Sequence, residues 1–292
     1  MRRMIPRQAI WKWVAIAFML SGGACTPAAP GPTPTALPPT FTFTPVPTPT
    51  STPVPTATPL GCLSEPGRVE SGVVETTKPP QMFLIYLPRC YDEMTGQRYP
   101  VLYLLHGQTY TDDQWVRLGA PQVADRLIRS GEAAPFIIVF PDDRYWNLEA
   151  GPGFGERVID GLIPYVDANY RTLPDRAHRA LGGLSRGGGW TVRLGLTHPE
   201  LFGMMGLHSP AVFSEDASEV ASWIGRIPAQ SFPRLWLDIG DQDKELGYAR
   251  QFEALLALYE VPHEFHLFSG DHSEVYWGAH VEEYLSWYVE GW

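Results

Sequence analysis

From about residue 82 onward the chain alternates short apolar runs with longer stretches whose apolar positions recur at helical spacing. The runs at 82–88 (MFLIYLP), 100–107 (PVLYLLHG), 136–143 (FIIVFPDD), 178–184 (HRALGGL), 202–209 (FGMMGLHS), 234–240 (RLWLDIG) and 263–269 (HEFHLFS) read as strands. Several are apolar at successive positions, as strands covered on both faces are. Helical patterns occupy 155–170, 187–198, 245–260 and 274–288. This alternation predicts an α/β fold, a mainly parallel central sheet with helices on both faces. The two leading strands are expected to form an antiparallel edge. Ligands of such sheets bind beyond the C-terminal strand ends, so the chemistry should follow the apolar runs directly.

The first sixty residues have a different character. Residues 1–25 (MRRMIPRQAIWKWVAIAFMLSGGAC) place cations first, then an apolar run at 13–20, then small residues. That order predicts an export signal. The run is shorter than the ~20 apolar residues a bilayer span needs. SGGAC resembles the lipobox of bacterial lipoproteins, with Cys25 as the lipidated residue, although Gly22 stands where that motif has Leu. Ordinary signal-peptidase cleavage is the alternative. Residues 26–60 are mostly Pro and Thr, without charge. Such a segment buries no core and stays extended, reaching on the order of 100 Å at ~3.1 Å per residue. The expected organisation is a lipoprotein signal (1–25), a Pro/Thr linker (26–60) and one enzyme domain (61–292), exported and held at a membrane by lipid. With Cys25 lipidated, Cys62 and Cys90 remain as a candidate disulfide worth ~3 kcal/mol. Two free thiols are the alternative.

Charge narrows the partners. The chain has 292 residues and 22 Lys+Arg against 32 Asp+Glu, a net charge of −10. Four of those cations lie in the first 24 residues, which hold no acids; the remainder carries 18 against 32, or −14. Such a surface repels phosphate backbones, which excludes nucleic acid as a partner. No zinc-ligand spacing and no GxxxxGK[ST] loop is present, so neither a metal nor a cofactor is expected.

The strand ends carry the chemistry. GLSRG (183–187) is a G-x-S-x-G pattern between a strand and a helical pattern, the context of a nucleophile elbow. The turn is so tight that its neighbours come too close for side chains, and the glycines let Ser185 project from the top of the sheet. A serine hydroxyl needs a base. His272 follows the last strand, where the order Ser…Asp…His places the base. His106 and His208 follow strands too, but neither comes after an acid in that order. A carboxylate must hold the histidine; Asp243 is the candidate and Asp241 the reserve, with Asp238 inside the strand. Spacing does not choose between the first two. The oxyanion donors are expected to be the backbone N–H groups of Arg186 and Gln108.

Together these residues resemble the esterase family of α/β-hydrolases that includes feruloyl esterases, enterochelin esterase-like proteins, S-formylglutathione hydrolases and mycobacterial mycolyltransferases. The resemblance rests on YLLHG followed by DDQW, IPYVDANYRT (163–172), ALGGLSRGGGW (180–190), HPELFG (198–203) and FSGDHSEVYW (268–277). It covers most of 61–292 in family order. It implies an α/β-hydrolase fold, with Ser185 as nucleophile, His272 as base and Asp243, the last acid of GDQD, as the acid. It also implies that Glu156 and the PDD segment shape the site from behind. Arg186 departs from the pattern, since many members carry Met there; its side chain would steer an anionic substrate or point to solvent.

The expected activity is hydrolysis of carboxylic esters through an acyl-enzyme, rising through roughly pH 6–7 as a histidine base demands. Trp115, Tyr145, Trp146, Tyr276 and Trp277 follow strand ends and are candidates to stack on a feruloyl ring or a sugar. A surface-tethered esterase of feruloyl or acetyl polysaccharide esters is the leading reading. An acyltransferase on the same fold and a non-catalytic surface carbohydrate-binding protein are the alternatives.

Overall fold

The computed structural model describes residues 61–144 and 153–292. The export signal, Cys25, the Pro/Thr linker, Tyr145 and Trp146 lie outside the described residues. Eight strands form one sheet: β1 (Arg68–Val74), β2 (Gln81–Leu87), β3 (Val101–Leu105), β4 (Ile137–Pro141), β5 (Arg179–Leu184), β6 (Met204–His208), β7 (Arg234–Gly240) and β8 (Glu264–Phe268), in the order β1-β2-β4-β3-β5-β6-β7-β8. All pairs from β4 to β8 are parallel, and β2 runs antiparallel to both β1 and β4.

Period-two alternation divides each central strand between two cores. Leu102 and Leu104 of β3, with Ile138 and Phe140 of β4, face α1 (Gln114–Arg117), α2 (Ala120–Ser130) and α8 (Glu274–Val289). Val101, Tyr103 and Leu105, with Ile137 and Val139, face the opposite layer. There a helical run comprises α3 (Phe154–Glu156), a π-helical turn over Arg157–Leu162 and α4 (Ile163–Asn169), beside α5 (Arg186–Thr197). Helices α6 (Val220–Arg226) and α7 (Leu246–Leu258) cover β6 and β7 on that side. Because both faces are covered, β3 to β6 carry almost unbroken apolar sequence.

The antiparallel edge differs from the expectation. Its members are β1 and β2, whereas β3 lies in the middle of the sheet between parallel neighbours. All five residues of β3 are buried, and only a central position covers both faces that completely. Strand β1 (RVESGVV) is half exposed and interrupts its valines with Arg, Glu, Ser and Gly, as an edge can. A disulfide joins Cys62 to Cys90. Cys90 follows the C-terminal end of β2, which pairs with the N-terminal end of β4. The bridge therefore sits at the pole of the sheet opposite the C-terminal ends of the parallel strands.

Candidate active site

Ser185 stands between β5 and α5 with φ 52° and ψ −118°, a conformation that costs a non-glycine residue energy and persists only where its surroundings enforce it. The enforcement is visible on both sides. A Cβ on Gly183 would lie 2.4 Å from the Gly187 carbonyl carbon, and one on Gly187 would lie 2.2 Å from the Leu105 carbonyl oxygen. The Ser185 N–H donates to the His208 carbonyl (3.0 Å), and its own carbonyl accepts from Gly189 and Ala211.

The serine meets two residues from the last two strand ends. His272 Nε2 lies 2.8 Å from Ser185 Oγ, and His272 Nδ1 lies 2.9 Å from both carboxylate oxygens of Asp243. Asp243 Oδ1 also accepts the Glu245 N–H at 2.7 Å. Burial pulls the Asp243 carboxyl upward, but the His272 hydrogen bond, the Glu245 amide, the charge on His272 and the Ser209 hydroxyl outweigh it and hold the group below the usual carboxylate range. Asp241 is exposed and accepts the Gly270 N–H (3.0 Å), away from the histidine.

A cleft of about 540 Å³ opens over Ser185. Gly107 to Tyr110, Lys244, His272 to Val275 and Trp277 line it. Gln108 belongs to a turn closed by the Tyr110 N–H on the Gly107 carbonyl, with Thr109 at φ 71°, a strained value for a β-branched residue. Arg186 opens α5, so its amide belongs to the first turn, whose N–H groups face out of the helix end. The Arg186 side chain is tied to Asp143 and an aromatic ring. Its Nε donates to Asp143 (2.9 Å), and its guanidinium lies 5.2 Å from the Phe213 ring centre. Asp143 also accepts from Trp190 Nε1 (2.9 Å), and its own N–H donates to His106 Nε2 (2.8 Å). Burial raises the Asp143 carboxyl, against the opposing charge of Arg186. Through Asp143, the PDD segment thus contacts the residue that follows the serine. Glu156 lines a groove with Asp160, Arg193 and Trp223.

Two aromatic candidates for substrate stacking belong to the core instead. Trp115 is 0 % exposed and donates its indole N–H to the Leu105 carbonyl. Tyr276 is buried and donates to Asp238. A position after a strand end does not ensure a view of the cleft. Trp277 lines the cleft but is 3 % exposed and stands edge-on to His272, with centroids 5.0 Å apart, leaving little ring face for a ligand.

Two features were not anticipated from sequence. Buried Gln114 accepts the Gly107 N–H (2.8 Å) and donates to Glu274 (3.2 Å), which Arg117 also holds, so it links two residues that line the cleft. Beneath the site, Asp238 and His208 are both 0 % exposed. Asp238 Oδ1 lies 2.7 Å from His208 Nδ1 and accepts from Trp236 Nε1 (2.8 Å); Oδ2 accepts from the hydroxyls of Tyr276 and Tyr284, each at 2.8 Å. Burial, then the Asp238 charge, drives both tyrosines well above their ordinary range, so they remain donors. With the ring proton on Nδ1, His208 Nε2 accepts from Tyr288 Oη (3.2 Å). A Cβ on Gly206 would lie 1.8 Å from that hydroxyl. The sequence signal for this hub was a carboxylate inside the apolar run RLWLDIG, since a buried charge requires partners.

Among the described residues, one group of His, Cys, Asp or Glu has metal-ligand proximity, namely Cys62, Cys90 and Glu93, and the disulfide takes both of its sulfurs.

The sequence pattern of the family described as "Putative esterase" matches residues 75–288. The chain belongs to this esterase family. It is 31 % identical over 194 residues to an endo-1,4-beta-xylanase/feruloyl esterase of Xylanibacter ruminicola, covering 63 % of this chain and 26 % of that protein. It is 26 % identical over 240 residues to an esterase of Mycobacterium tuberculosis, covering 64 % of this chain and 51 % of that one. The chain thus spans between about a quarter and half the length of these curated relatives. Among solved structures, a ferulic acid esterase superposes with a TM-score of 0.70 at 25 % identity, covering 78 % of this chain and all of that one. An S-formylglutathione hydrolase of Staphylococcus aureus gives 0.66 at 18 %, covering 77 % and 99 %. This esterase-family chain has the α/β-hydrolase fold, as the order of its strands and the family resemblance implied.

Proposed function

We propose that this protein is a serine carboxylic ester hydrolase, with Ser185 as nucleophile, His272 as general base and Asp243 as the carboxylate that orients it. The observation that carries this reading is the single imidazole bridging Ser185 Oγ and a buried carboxylate, at 2.8 and 2.9 Å. His272 takes the Ser185 proton as the oxygen attacks the ester carbonyl, and Asp243 stabilises the imidazolium. The Gln108 and Arg186 amides receive the oxyanion. His272 then protonates the leaving alcohol, and water repeats the sequence to free the acid. Feruloyl or acetyl esters of polysaccharides are the proposed substrates; the relative named as a xylanase/feruloyl esterase supports the first. Residues 1–60 are proposed to export the domain and hold it at a membrane through Cys25, on the strength of their charge order and Pro/Thr composition.

The test is hydrolysis of p-nitrophenyl acetate by the full chain beside Ser185→Ala. The reading expects turnover that falls by on the order of 10⁴-fold or more in the variant. An equally active variant would remove Ser185 as the nucleophile, and a folded but inert wild type would overturn the reading and favour a binding protein on this fold.

A further inference from the structure

Resting on that reading, we propose that Lys244 selects esters whose alcohol portion carries a carboxylate. Two acids and one amine border the reacting groups, and their circumstances differ. Asp243 is committed to His272. Glu274, the carboxylate lining the cleft, is held by Arg117 at 3.1 Å and by Gln114 at 3.2 Å. Among the described residues Lys244 is the one Lys or Arg lining the cleft, and it forms no hydrogen bond or ion pair with any of them. Of the other acids of the adjoining loops, Asp241 accepts the Gly270 N–H and Asp271 the Ser273 hydroxyl, while the Glu245 carboxylate, next in the chain, forms no hydrogen bond or ion pair with Lys244. The cleft therefore holds a neutralised carboxylate and an uncommitted ammonium, in a chain of net charge −10.

The side of the cleft decides which part of the ester meets this ammonium. The carbonyl oxygen must turn toward the Gln108 and Arg186 amides, and the alcohol must turn toward His272 Nε2, which protonates it. Lys244 lines the same cleft and follows Asp243 directly, so the chain ties it to the carboxylate that holds His272. A carboxylate on the alcohol, as in a sugar acid, is the charge this ammonium would meet beside His272. An overall negative field disfavours such a substrate at long range, so a local cation is what admits it.

The experiment uses the full chain and two acetyl esters matched in shape, 4-acetoxybenzoate and 4-acetoxybenzamide. The readout is the ratio of their kcat/KM values, in which effects on the shared chemistry cancel. Lys244→Met is expected to lower the carboxylate preference by about 5-fold, the size of a partly exposed charge pair. Lys244→Arg should keep it and Lys244→Glu should lower it further. Raising NaCl to about 0.5 M should bring the wild-type ratio toward that of Lys244→Met, because exposed charges are screened. A ratio equal in wild type and Lys244→Met at low salt, with both esters hydrolysed, overturns this inference alone. A folded wild type inert on both esters and on p-nitrophenyl acetate overturns the esterase reading and this inference with it.

Discussion

Replacing Asp238 by alanine should remove most of the stability of the domain. The carboxylate receives four donors, His208 Nδ1, Trp236 Nε1 and the hydroxyls of Tyr276 and Tyr284, at 2.7 to 2.8 Å and with no exposure of the acid itself. A buried donor left without a partner costs roughly 1–3 kcal/mol. Four of them sum to roughly 4–12 kcal/mol, comparable to the ~5–15 kcal/mol that holds a whole domain together. A water entering the vacated space would satisfy some of them and bring the cost toward the lower end. Tyr284→Phe removes one donor and keeps the ring, so it should cost only about 1 kcal/mol. Urea unfolding followed by tryptophan fluorescence and far-UV circular dichroism gives both values, read from the midpoint if the slope is unchanged. The expected order is wild type, then Tyr284→Phe slightly below it, then Asp238→Ala far below or unfolded. If Asp238→Ala unfolds within about 1 kcal/mol of wild type, the carboxylate is not the anchor that its four donors imply.

Three further outcomes can be checked independently. Gly206→Ala drives a methyl into the Tyr288 hydroxyl and should cost roughly 3 kcal/mol, lowering Tm by on the order of 10 °C; adding Tyr288→Phe should restore part of the loss, a non-additive result that unrelated sites would not give. Burial, then the charge of Asp142, pushes the Asp112 carboxyl up to about 6. A raised carboxyl favours the folded state while protonated and loses that advantage as pH rises from about 4 through 6, so Asp112→Asn should be more stable than wild type at pH 7 and equal to it below pH 4. The full shift corresponds to ~3 kcal/mol, and because the group is only partly buried, screening reduces the expected gain to about 1 kcal/mol, measurable by urea unfolding at both pH values. Cys62→Ser with Cys90→Ser opens a loop of sequence separation 28 and should cost about 3–4 kcal/mol in thermal unfolding, with kcat per folded molecule unchanged.

Much of this architecture was readable because a strand buried on both faces has few ways to look. The run VLYLL could only be core, yet its neighbours could not be read from it, and it proved to be a central strand rather than an edge. Edge strand β1 escaped notice because RVESGVV buries little and so shows no apolar run. Helix α2 escaped although Pro121 in its first turn and Gly131 at its end are ordinary boundary signals. At the site, Ser185, His272 and Asp243 lie together because each follows a parallel strand, and parallel strands deliver their ends to one pole. Order along the chain conveys that polarity. It does not convey where side chains point, so Trp115 and Tyr276 read as cleft candidates although their polar atoms are bonded inside the core. Nor could spacing separate Asp241 from Asp243; the reach of the histidine ring does so in three dimensions.

The position of the Cys62–Cys90 bridge has a practical consequence. The described chain begins at the turn Gly61–Leu63, which the bridge fastens beside the end of β2, at the pole opposite Ser185. That turn is a natural handle. A domain coupled to a bead or a sensor surface through it would be oriented with its cleft outward, accessible to large and insoluble esters, whereas coupling through loops at the strand ends would obstruct it.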